Sequence, residues 1–185
     1  LQKLPNATQN ILKLAACIGN QFDLDTLAIV CEQSKVQIAA DLWKALQLGL
    51  ILPQNQIYKF YIDSENHKQK LEDKQIVSYR FLHDRVQQAA YSLIPDEQKQ
   101  KTHYNIGQLL LSKTPQDKFN ENIFDIVNHI NYGINLVFQS NRQEEICQLN
   151  LLAAKKARAS TAYNAAQTYV DIGISLLNPD SWQSQ

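Results

Sequence analysis

Apolar residues recur at spacings of three and four along most of this chain, the period of helices with one buried face. Leu4-Pro5-Asn6-Ala7-Thr8 predicts a helix start with Asn6 or Thr8 as cap. Ile11, Leu12, Ala15 and Ile18 form its stripe, and Gly19 stops it. Asp23 caps a second short helix, begun at Phe22-Asp23 and lined by Leu24, Leu27, Ala28 and Cys31. Ser34 caps a third, with Ile38, Ala39, Leu42, Ala45 and Leu46 inward and Gly49 at its end. Leu50 to Pro53 is a brief extended run.

The period then changes. Gln56 to Asp63 and Gln75 to Leu82 read as strands joined by the polar stretch Ser64 to Lys74. In the second, Val77, Tyr79 and Phe81 alternate against Ser78 and Arg80. From Val86 the pattern is helical again, with Ala89, Ala90 and Leu93 on the same face. His83 and Asp84 sit at this strand-to-helix joint, where backbone N–H groups at a helix start favour a carboxylate or a phosphate. Read from these residues alone, Asp84 caps the helix and His83 is a half-buried turn residue.

After Pro95 the pattern is helical to the end. The first helix, Asp96 to Ser112, turns Tyr104, Ile106, Leu109 and Leu110 inward. Thr114-Pro115 breaks it, and Ile123, Ile126, Val127, Ile130 and Ile134 mark the next. Asn141 to Ser160 presents Ile146, Leu149, Ala153 and Ala157; Thr161 to Leu177 presents Ala162, Ala166, Tyr169, Val170 and Gly173. Small residues, Ala165 and Ala166 among them, let helices approach, while Tyr163 and Tyr169 fill the gaps between pairs. The expected fold is mainly α. A winged helix over 1–95, three helices plus a β-hairpin, precedes antiparallel helix pairs of the tetratricopeptide-like (TPR-like) kind over 96–185. Asn178-Pro179-Asp180-Ser181-Trp182 reads as the edge of a truncated array.

Composition narrows the function. Lys plus Arg and Asp plus Glu both number 18, so no net field draws the chain to nucleic acid or anionic membrane. Winged helices commonly bind DNA, yet the would-be recognition helix, Ser34 to Leu48, carries only Lys35 and Lys44 against Asp41. A phosphate-tracking surface needs a clustered basic excess, so DNA binding is the minority reading. The three cysteines (Cys17, Cys31, Cys147) are widely spaced and read as buried thiols in a reducing, cytoplasmic compartment. No apolar run is long enough to insert in a membrane. The absence of methionine leads us to expect an internal piece of a longer protein.

No phosphate-binding Gly loop, HExxH or Gly-x-Ser-x-Gly occurs, and His67, His83, His103 and His129 share no metal-ligand spacing. His103 and His129 read as packing residues on helix faces, His67 as solvated, and Glu144-Glu145 as part of a solvated face. No catalytic residues, metal ligands or cofactor of its own are expected.

Tyr79-Arg80-Phe81-Leu82-His83-Asp84 resembles the Met-His-Asp motif of the STAND class of signalling ATPases, with Leu82 in the Met place. Arg80 to Ile94, Ile123 to His129 and Ala153 to Ala157 are similar to segments of large bacterial (cyanobacterial-type) multi-sensor Ser/Thr and histidine kinases. The resemblance covers nearly the whole chain. It implies a winged helix and helical sensor that follow an AAA-type domain binding ADP or ATP. It also implies that His83 approaches the β-phosphate of ADP held by that upstream domain, that Asp84 helps fix the joint, and that the helical half meets protein partners. The chain would then be a non-catalytic relay within a nucleotide-switched kinase. The alternative is a winged-helix DNA-binding transcriptional regulator with a helical sensor domain.

Overall fold

The structure, a computed structural model, describes residues 1, 3–54 and 76–177. The strand expected over 56–63, the polar stretch 64–74 with His67, Gln75, and the segment 178–182 lie outside the described residues. The chain is mainly helical and divides into two compact units, Leu1–Asp96 and Glu97–Gln185.

In the first unit, α1 (Asn6–Ile18) buries Ile11, Leu12 and Ala15. Its cap position falls on Pro5 and no side chain caps it, contrary to the expectation for Asn6 or Thr8. Pro5 supplies a fixed φ at the boundary. Thr8 lies inside the helix instead, buried, and donates to the backbone oxygen of Asp41 at 2.8 Å. Gly19 ends α1, its N–H bonded to the Ala15 carbonyl.

The next residues correct a second expectation. Gln21–Asp23 is a strand, β1, rather than the start of a helix. Asp23 still caps α2 (Leu24–Cys31), accepting from Thr26 N–H at 2.7 Å. Ser34 likewise caps α3 (Lys35–Gln47), with Ile38, Ala39, Leu42 and Ala45 buried. Gly49 turns the chain at φ +66°, a conformation that L side chains adopt at a cost. It leads into β2 (Ile51–Pro53).

β3 (Ser78–Phe81) is the central strand of an antiparallel sheet of order β1-β3-β2. Phe22 lies opposite Tyr79, and Ile51 opposite Phe81. The pleat sends Val77, Tyr79 and Phe81 into the core, where the Phe22 ring sits 5.9 Å from Tyr79 and 5.4 Å from Phe81. α4 (Asp84–Tyr91) then closes over α1. Its inner side is Val86, Ala90 and Tyr91; Ala89, expected inward, is exposed. One turn after Val86 the helix needs a small residue against α1, and Ala90, not Ala89, occupies that angle.

The second unit is all helix among the described residues: α5 (Asp96–Lys113), α6 (Gln116–Tyr132), α7 (Ile134–Phe138), α8 (Gln143–Ala159) and α9 (Tyr163–Ser175). Gly133 ends α6, so Ile134 opens a new helix instead of extending the old stripe. Ile123 and Val127 of α6 pack with Ala153, Ala154 and Ala157 of α8 and Ala166 and Tyr169 of α9. Gly173 lies against Asn150 and Cys147, so α8 and α9 run antiparallel. Ala162, Ala165, Val170 and Tyr163 were expected inside but are exposed, Tyr163 at 66%. The sequence stripe on α9 is broader than the strip that α8 covers.

Candidate functional site

The β3–α4 joint is built by backbone bonds on both sides of His83. Leu82 N–H donates to Leu50 O at 3.0 Å, extending the β2–β3 pairing by a residue beyond the strands. Phe81 N–H donates to Asn20 O at 2.9 Å, and Val86 N–H closes the first turn of α4 on His83 O, also at 2.9 Å. His83 occupies the cap position with extended backbone (φ −144°, ψ 150°). Its side chain makes no capping bond and is exposed, not half-buried as the residue pattern predicts.

Asp84 is the first residue of α4, not its cap. Its carboxylate accepts from Asn20 Nδ2 at 2.8 Å, a tie across 64 residues of sequence. A carboxylate in the first turn also suits the helix dipole. From the next turn, Gln87 Nε2 donates to Ala16 O at 3.1 Å. The joint is thus seated on the C-terminal end of α1. Arg80, Leu82 and Arg85 are exposed around it, so His83 stands on a mixed basic and apolar surface. Neither Asn20 nor Gln87 is identifiable as part of this joint from sequence, because no local pattern links them to it.

The outward face of α3 is mixed, with Gln37, Lys44 and Gln47 exposed beside apolar residues. Val36 is 51% exposed and Trp43 40%, with Ala40 between them. Of its two lysines, Lys35 forms an ion pair with Asp25 at 2.5 Å. That face therefore lacks the cationic cluster that tracks a phosphate backbone.

A second polar arrangement lies in the helical unit. His103 of α5 and His129 of α6 are buried and meet Nδ1 to Nδ1 at 2.9 Å. One ring donates its Nδ1–H and the other accepts, which fixes complementary tautomers. Burial pushes the His129 imidazole down to about 4, the His103 charge adding to the effect, and burial lowers His103 as well. The Tyr132 ring stands 4.2 Å from that of His103. Both histidines are packing residues, as their helix-face positions predict, but their pairing carries no sequence signal. Among the described residues, no group of three or more His, Cys, Asp or Glu side chains converges as a metal site. No helix of the described residues is long and apolar enough to cross a membrane.

These features define a mainly helical, two-unit chain with an exposed histidine at a strand-to-helix joint. The chain is similar to a stretch of a hybrid signal transduction histidine kinase, kinase G, of Dictyostelium discoideum, 31% identical over 218 aligned positions. The alignment takes in the whole of this chain but spans 6% of that relative's length. No protein-family model matches the chain. No solved structure matches it either.

Proposed function

We propose that this chain is a non-catalytic relay in a nucleotide-switched signal-transduction protein of the AAA/STAND type. Its parent would be a multidomain Ser/Thr or histidine kinase of the cytoplasm. The observation that carries the signalling assignment is the similarity, end to end, to part of a signalling histidine kinase. Among the described residues, the order helix, strand, helix, helix, strand, strand with a β1-β3-β2 sheet supports reading the first unit as a winged helix. The antiparallel α8–α9 pair, with Gly173 at its close approach, supports TPR-like packing in the second, where protein partners would bind.

In this reading ADP or ATP belongs to a nucleotide-binding domain ahead of this chain, and His83 is the part that meets it. An exposed imidazole at a helix start can donate one hydrogen bond to a phosphate oxygen, and protonation strengthens it. Such a bond favours the closed, ADP-holding state by on the order of 1–3 kcal/mol. The test is ADP release from the parent polypeptide. His83→Ala should release ADP faster by about tenfold or more while leaving the melting temperature of this 185-residue chain unchanged, since the side chain caps nothing. An unaltered ADP off-rate in a folded variant would remove the latch. The outer face of α3 has no cationic cluster, since Lys35 pairs with Asp25, and this argues against the DNA-binding alternative. Salt-sensitive retardation of duplex DNA by this chain would restore it.

A further inference from the structure

Among the described residues His83 has no side-chain tie of its own, so its place is set by the backbone on either side. One residue reaches both sides. The Asn20 carbonyl accepts from Phe81 N–H at 2.9 Å, two residues before His83. Its side-chain amide donates to the Asp84 carboxylate at 2.8 Å, one residue after. Asn20 stands directly after Gly19, where α1 ends, and Gln87 holds the same end of α1 through Ala16 O. The joint is therefore bracketed by Asn20, in the bend that follows α1.

We propose that Asn20 is a positioning residue for His83, holding the β3–α4 joint so that the imidazole is presented to an anionic phosphate group. The phosphate part of this inference rests on the nucleotide reading above; the hold on His83 does not. The chemistry is specific to asparagine. An amide N–H to a carboxylate is a charge-assisted bond. Aspartate at position 20 would set two carboxylates against each other, and alanine cannot reach. Because the pair is one donor and one acceptor, it can be exchanged. In Asn20→Asp/Asp84→Asn the donor sits on α4 and the acceptor after α1, with the same reach.

The test has two arms. In this chain, the backbone NMR couplings of His83 should report one extended conformation. Asn20→Asp should average them and the exchanged pair should restore them. In the polypeptide with its nucleotide-binding domain, Asn20→Asp should speed ADP release roughly three- to tenfold, the worth of one such hydrogen bond. The exchanged pair should reverse that, and Asn20→Asp should add nothing once His83 is alanine. Unchanged His83 couplings in Asn20→Asp, or no recovery in the exchanged pair, would overturn the proposal. So would equal acceleration of ADP release with and without His83. If His83→Ala leaves ADP release untouched while its couplings still follow Asn20, the nucleotide reading falls and the positioning role stands.

Discussion

His103 and His129 meet Nδ1 to Nδ1 at 2.9 Å inside the helical unit, one ring donating and the other accepting. Both imidazoles bind protons less readily in the folded chain than in the unfolded one. The unfolded chain takes up protons near pH 6.5, whereas His129 does so near about 4. Stability from this pair is therefore complete above pH 6.5 and is lost as pH falls from there towards about 4. Between pH 7 and 5, where carboxylates still carry charge, the helical unit should lose on the order of 1–2 kcal/mol. His129→Gln should flatten that slope in urea titrations repeated across the range. An equally steep slope in the variant would place the proton uptake elsewhere.

Tyr169 and Tyr163 open a sharp contrast on α9. Tyr169 is buried, its hydroxyl donates to Asn128 Oδ1 at 2.8 Å, and its ring stacks 5.9 Å from Phe124. Tyr169→Phe should cost about 1–2 kcal/mol for the stranded acceptor, and Tyr169→Ala about 3–5 kcal/mol. Tyr163→Ala should stay within roughly 0.5 kcal/mol, because that ring faces solvent. Denaturant unfolding of the three variants gives the ranking directly.

Gly107 marks a close crossing. A Cβ there would meet Ile130 Cγ1 at 2.6 Å and the Ile130 backbone N at 2.9 Å. The side chain can swing away but the backbone cannot, so Gly107→Ala should destabilise by about 1–3 kcal/mol despite alanine's better helix propensity. A neutral or stabilising result would show that α5 and α6 separate more easily than this packing implies.

Two aspartates at helix starts should behave differently. Asp23 accepts from both the N–H and the hydroxyl of Thr26, so Asp23→Ala should cost about 1 kcal/mol or somewhat more. Asp84 makes an exposed side-chain bond to Asn20 and caps nothing, so Asp84→Ala should cost about 0.5 kcal/mol. Thermal melts of the two variants would separate a capping aspartate from a tethering one.

Local chemistry was legible from the residues. Asp23 and Ser34 cap helices because a short acceptor side chain before an apolar stripe reaches the N–H groups of the next turn. Val77, Tyr79 and Phe81 go inward because a strand alternates, and Ile123, Ile126, Val127 and Ile130 go inward because a helix repeats every three to four residues. These outcomes depend on neighbours only a few positions away. Other outcomes depend on what the fold brings up from far along the chain. Gln21–Asp23 is extended because Tyr79 and its neighbours offer a strand edge. Val170 and Tyr163 are exposed because α8 covers only part of α9. Asp84 tethers the joint instead of capping it because Asn20, distant in sequence, arrives beside it. His103 and His129 are isolated letters until two helices set them ring to ring. Hydrophobic period and capping act within one or two turns, whereas pairing across elements is a property of tertiary packing, with no local spacing to announce it.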